Sequence, residues 1–207
     1  MLVALGVAWY ARGAYDQATQ DLIAASDLTP DNPIPYIFLG KMQSVEGSPS
    51  QESLERLARF VRMQPDNPLA NYYYAVGLWK KSTIAPDINV AHSSQVESPL
   101  LKAVRLDPNF GAAYLQLGIL YSQRAEFARA IGAYQKAIEV TPDANDTLEQ
   151  AHYRLAQAYL RIGEKDKAQA ELKLHSELAK KTKDEAERNR REIKEFEVSL
   201  QSRIAPE

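Results

Sequence analysis

FGAAYLQLGILYSQRAEFARAIGAYQKAIEVTP, running from Phe110 to Pro142, reads as two short helices joined by a tight turn. Tyr114, Leu117, Gly118 and Tyr121 recur at helical spacing along the first, and Ala130 and Tyr134 along the second. Two helices of a hairpin approach closely only where one of them presents little side chain. Gly118 and Ala130 therefore mark the predicted contact, with Leu117 and the tyrosines filling the space around it. A glycine inside a helix costs about 1 kcal/mol against alanine, so Gly118 needs a packing reason of this kind. Pro142 has no amide hydrogen and pushes its predecessor out of the α region, which ends the unit.

The same intervals return along the chain. Leu2, Leu5, Gly6, Trp9, Ala18, Leu22 and Pro30 match every spacing, so a first copy begins at or just before Met1 and the N-terminus reads as a cut in a longer array. After the turn TPDNP, a second copy reads Tyr36, Leu39, Gly40, Ser53, Leu57 and Pro65; Gly47 to Ser50 form its turn and Gln51 starts its second helix. PDNP recurs at Pro65 to Pro68, and a third copy follows with Tyr73, Val76, Gly77, Val96, Leu100 and Pro108. Its hairpin carries an insertion within Thr83 to Gln95, of the kind that maps to a loop on one face of a repeat protein. The fifth copy reads His152, Leu155, Ala156, Tyr159, Ala168 and Leu172, with a capping box at Thr147 and Gln150. Approximate boundaries are 1–32, 33–67, 68–109, 110–146 and 147–180, followed by a tail over 181–207.

No Pro or Gly interrupts Lys165 to Gln201, and Leu174, Leu178, Ala186, Ile193, Phe196 and Leu200 recur there at helical spacing. One long helix, or two divided at a cap formed by Thr182 and Glu185, covers the open face of the fifth unit while its charges solvate the end. A coiled-coil dimer through the same stripe is the alternative.

Composition narrows the partners. Lys and Arg number 25 against 27 for Asp and Glu, a formal charge of -2, so no global field draws the chain to nucleic acid or anionic lipid. Zero cysteines exclude disulfides and thiolate metal sites. No apolar run reaches the roughly 20 residues of a membrane span. The opening MLVALGVAWYA lacks a basic lead and falls on repeat positions, so it reads as helix rather than signal peptide. The expectation is a soluble chain without membrane insertion, with the cytoplasm favoured over a compartment that the sequence does not name.

With these residues in view, the chain resembles the tetratricopeptide repeat family, whose aromatic, Leu-Gly, aromatic, Ala, aromatic and Pro spacing it follows over about residues 1 to 180. The resemblance implies an all-α right-handed solenoid of about five helix-turn-helix units with a long C-terminal capping helix. It also implies a non-enzymatic scaffold that binds a protein or peptide in a concave groove lined by first helices. Carried over by position, the groove candidates in the second and third units are Ile37, Phe38, Lys41, Asn71, Tyr74 and Leu78. The fourth unit supplies Leu115, Gln116, Ile119 and Gln123, and the fifth Tyr153, Arg154, Gln157 and Arg161. The groove thus turns from apolar to amide and guanidinium along its length. An acidic or amide group of a ligand is expected near Gln116, Arg154 and Arg161, since guanidinium forks match carboxylates. No frame supplies the Lys, Asn and Arg set with which chaperone-binding members of the family hold a C-terminal carboxylate. Self-assembly as a homodimer or larger oligomer, through the N-terminal edge or the C-terminal helix, is the alternative function.

Other chemistry finds no support. His92, His152 and His175 are scattered, with no i, i+4 pair for zinc; the latter two fall on packing positions. No phosphate loop appears. His92 beside Ser93 and Ser94 lacks an oriented base and oxyanion donors. The basic residues from Lys180 to Arg191 are interleaved with acids, which marks a solvated helix rather than a nucleic-acid patch. No catalytic residue, metal or cofactor is expected.

Overall fold

Small residues and turn chemistry divide the chain into hairpins. The computed structural model describes residues 1–43, 50–84, 94–141 and 146–204, with side chains omitted over 82–84 and 196–204. The described residues form α1 (Leu2–Ala11), α2 (Tyr15–Leu28), α3 (Pro33–Met42), α4 (Gln51–Met63) and α5 (Pro68–Ile84). There follow α6 (Ser94–Leu106), α7 (Gly111–Gln123), α8 (Phe127–Glu139), α9 (Asp146–Arg161) and α10 (Lys165–Ile204). Successive helices pair as five hairpins, and each hairpin packs on the next to give an all-α solenoid.

Local chemistry sets the ends. In both PDNP turns an Asn caps the helix that follows: Asn32 Oδ1 accepts from the Ile34 amide, and Asn67 Oδ1 from those of Leu69 and Ala70. Pro33 and Pro68 open α3 and α5, where a missing amide hydrogen costs nothing. Ser50 caps α4 by accepting from the Ser53 amide at 3.0 Å, so Gln51 is the first residue of that helix, as expected. Gly13 and Gly163 end α1 and α9 with φ of 75° and 84°. Ala125 occupies the corresponding place after α7 with φ 58°, a conformation that strains a side-chain-bearing residue. The turn at 44–49, most of the insertion with His92, and Pro142 lie outside the described residues.

Gly118 is the close approach between α7 and α8. A Cβ built on it falls under 3.0 Å from Cδ1, Cε1 and Cζ of Tyr134. Tyr134 is buried, and its hydroxyl lies 3.0 Å from Ser122 Oγ. Gly40 does the same work between units: its Cβ would meet the Tyr73 ring of α5 rather than its own hairpin partner. The third to fifth units share one continuous apolar core from Ala75 to Ala168. Smaller clusters around Leu22 and around Tyr36 and Phe60 hold the first two.

Ion pairs and the hydrogen bonds around them join neighbouring units. Arg59 of α4 donates to Asp27 at 2.8 Å, to the Ser26 carbonyl at 2.7 Å and to the Tyr36 hydroxyl at 3.2 Å. Glu97 of α6 accepts from Arg129 at 2.6 Å, from the Tyr121 hydroxyl at 3.0 Å and from Arg124.

At the C-terminal end one alternative is decided and two expectations change. α10 runs through Thr182 without a break, because the Thr182 hydroxyl donates back to the Leu178 carbonyl at 3.1 Å instead of capping a new helix. The face that covers the fifth unit also differs from the expected stripe. Ala168 is buried, Glu171 sits 2.6 Å from His152 Nδ1, and Leu178 is half-buried, whereas Leu172, Leu174 and Ile193 are exposed. Phe196 and Leu200 lie outside the described side chains. α9 begins at Asp146, so Thr147 is inside the helix and not its cap.

Candidate binding groove

Five of the groove candidates come together at one place. Ile119 and Gln123 of α7 with Arg154, Gln157 and Arg161 of α9 line a cavity of about 230 Å³ between the fourth and fifth units. Helical spacing explains the set: 154, 157 and 161 stand at i, i+3 and i+7, one face of α9, and that face looks across to the last two turns of α7. Phe127 and Tyr134 of α8 supply an apolar wall, and Ser122 a hydroxyl.

The electrostatics are one-sided. Neither Arg154 nor Arg161 makes an ion pair among the described residues. Burial pushes the Tyr134 phenol above its ordinary pKa, although the bond from Ser122 and the positive charge of Arg154 pull the other way. The cavity therefore offers cationic and neutral donors beside an aromatic wall. Such a set can hold a carboxylate or amide.

The other candidates are placed differently. Asn71 is buried, and its amide donates at 2.8 Å to the carbonyls of Pro65 and of Asn67, so it braces the PDNP turn and is spent. Leu115 is buried in the core. These two are corrections to the expected groove: a first-helix register position does not ensure an open face. Gln116 is half-buried outside the cavity lining, and Tyr153 sits with its ring 5.3 Å from that of His175 on α10. Ile37, Phe38, Tyr74 and Leu78 are half-buried, each with part of its surface against a core cluster. Lys41 is exposed with its ammonium 5.1 Å from the Phe38 ring centre.

Sequence reasoning did not single out Ser122, Phe127, Tyr134 and Ala158 as part of this cavity. Tyr134 was legible only as a packing residue. The signal it carried was the phenol itself, since a buried Tyr needs a polar partner.

The geometry can be set beside known proteins. Tetratricopeptide repeat profiles match residues 113–148 and 149–182. Residues 113–182 of the chain are tetratricopeptide repeats. The cavity lies across the two repeats those profiles cover. TTC0263, a thermophilic tetratricopeptide-repeat protein of Thermus thermophilus, superposes with a TM-score of 0.69 at 24% identity, covering 90% of this chain and 94% of that one. A MamA crystal structure gives 0.64 at 23% identity, covering 86% and 96%. MamA from residue 41 onward of Desulfovibrio magneticus RS-1 gives 0.65 at 19% identity, covering 87% and 94%. No curated protein matches the chain. These likenesses establish the repeat fold, and the tetratricopeptide repeat profiles support a general role as a scaffold for protein interactions. Among the described residues no helix is long and apolar enough to cross a membrane, and no cluster of His, Cys, Asp and Glu is placed to hold a metal.

Proposed function

We propose that this chain is a non-enzymatic scaffold that holds a segment of a partner protein in its groove, with an acidic or amide side chain of that segment seated between Arg154 and Arg161. The observation that carries the reading is the pair of guanidinia on one face of a cavity, neither of which makes an ion pair among the described residues. A carboxylate entering there gains charge-assisted, bidentate hydrogen bonds that bulk water would otherwise compete for. Phe127 and the half-buried Ile119 suit an apolar neighbour of that carboxylate. Farther along, the partly open surfaces of Ile37, Phe38, Tyr74 and Leu78 suit further apolar side chains of the segment.

A peptide array pairing each Asp- or Glu-containing sequence with its neutral apolar counterpart tests the reading. Acidic members should bind more tightly, and replacing both Arg154 and Arg161 by Ala should remove roughly 1.5–3 kcal/mol, or about 10- to 150-fold in affinity. Binding of the acidic members that survives the double replacement would sink the reading.

A further inference from the structure

The cavity between α7 and α9 carries more positive charge than a single carboxylate balances. Arg154 and Arg161 both line it, and among the described residues no Asp or Glu does. The acids nearest to Phe127 and to Arg161 in sequence are held by other bases. Glu126 lies 2.5 Å from Arg129, and Glu164 lies 3.3 Å from Lys167.

The remaining polar groups of the lining add hydrogen-bond donors. Ser122 Oγ and the Tyr134 hydroxyl lie 3.0 Å apart, and either can donate to the other. One O–H fills that contact, and the second remains for a ligand. Gln123 and Gln157 bring side-chain amides. Arg161 follows Arg154 by seven residues, which is about 10.5 Å of rise along α9. The two guanidinium forks therefore reach the cavity from the two ends of one helical face, with Gln157 between them.

Resting on the groove binding proposed above, we infer that the acidic group seated between Arg154 and Arg161 is a phosphoryl group carried by a side chain of the partner segment. At neutral pH such a group has a charge of about −1.5 to −2 and three strong acceptor oxygens. It balances both guanidinia where a carboxylate balances one. It also offers an oxygen to each fork and a third to the hydroxyl left over from the pair of Ser122 and Tyr134. Arginine suits the task because its planar fork matches phosphate oxygens and its charge does not titrate away.

Four peptide libraries test this, alike except for a fixed central residue that is phosphoserine, Asp, an Asp-Asp pair or Ser. Fluorescence anisotropy gives the apparent affinity of each for the unaltered chain, for Arg154→Ala, for Arg161→Ala and for the double replacement. The phosphoserine library should bind about tenfold or more tighter than the Asp library, and each single replacement should weaken it by about tenfold. Arg154 is half-buried and Arg161 exposed, so the replaced proteins should keep the circular dichroism of the unaltered chain. Arg154→Lys combined with Arg161→Lys keeps the charge and loses the forks, and should bind phosphoserine more tightly than the alanine pair but less tightly than the unaltered chain. An Asp or Asp-Asp library that binds as tightly as the phosphoserine one, and loses that binding in the double replacement, overturns the inference and leaves the groove function standing. Acidic libraries that all fail to bind, or that bind the doubly replaced protein undiminished, overturn both. Inorganic phosphate that binds as tightly as the phosphoserine library marks a site for the free ion and overturns the inference as well.

Discussion

Gly118→Ala is a substitution that helix propensity alone would favour and that the packing of this protein forbids. Alanine gains about 1 kcal/mol over glycine in a helix interior. Its methyl, however, would lie under 3.0 Å from three atoms of the buried Tyr134 ring. Forcing extra volume into such a site costs about 1–3 kcal/mol. Displacing the ring also strains the 3.0 Å contact between its hydroxyl and Ser122, worth about 1 kcal/mol. The sum is a net destabilisation of about 1–3 kcal/mol. For a chain of this size that is roughly 2–12 °C of melting temperature. Gly118→Leu should be worse. Gly132→Ala supplies the control, because nothing lies within 4 Å of a Cβ there and the residue is an exposed helical position; it should stabilise by about 1 kcal/mol. Thermal unfolding followed by circular dichroism reads both. A Gly118→Ala protein that melts as high as the unaltered chain would refute the reasoning.

Other expectations follow from the same contacts. Ala125→Gly should raise stability by about 1 kcal/mol, because the left-handed conformation after α7 then carries no side-chain strain; chemical denaturation reads it. Burial raises the Glu97 carboxyl, but the hydrogen bonds from Arg124, Arg129 and Tyr121 win and hold it below its ordinary 4.5. Its contribution is therefore present above that value and lost as pH falls through the lower folded pKa. Glu97→Gln should cost about 1–3 kcal/mol near neutral pH and flatten the acid limb of a stability profile. Burial also pushes Tyr72 and Tyr73 up to about 12, so stability should fall as pH rises from their ordinary 10 towards 12. In an ultraviolet titration those two phenols should ionise later than the exposed ones. Finally, residues 180–195 are exposed along their whole length, so ending the chain after Thr182 should leave the melting temperature almost unchanged.

The repeat was legible because close packing writes itself into sequence at fixed intervals. Gly6, Gly118, Ala130 and Ala168 are small because another helix occupies the space, and that constraint recurs wherever the hairpin does. The candidate groove was legible only in part. Arg154, Gln157 and Arg161 fall on one helical face by periodicity alone, and they meet at the cavity. Asn71 follows the same register but is captured by the carbonyls of a turn whose shape is not a matter of spacing. The Glu97 network was out of reach for a different reason: its partners Arg124 and Arg129 stand 27 and 32 residues away and meet it only after the third and fourth units stack. The asymmetry of α10, with Leu172 outward and Glu171 inward on His152, likewise depends on what α9 presents to it.

Photo-crosslinking tests the central claim most directly, with the tightest acidic peptide from the array carrying its reactive group beside the carboxylate. The account predicts crosslinks on the walls of the cavity, at Ile119, Phe127 or Gln157, that disappear when Arg154 and Arg161 are replaced by Ala. Crosslinks confined to other faces of the array, or undiminished by the double replacement, would contradict it.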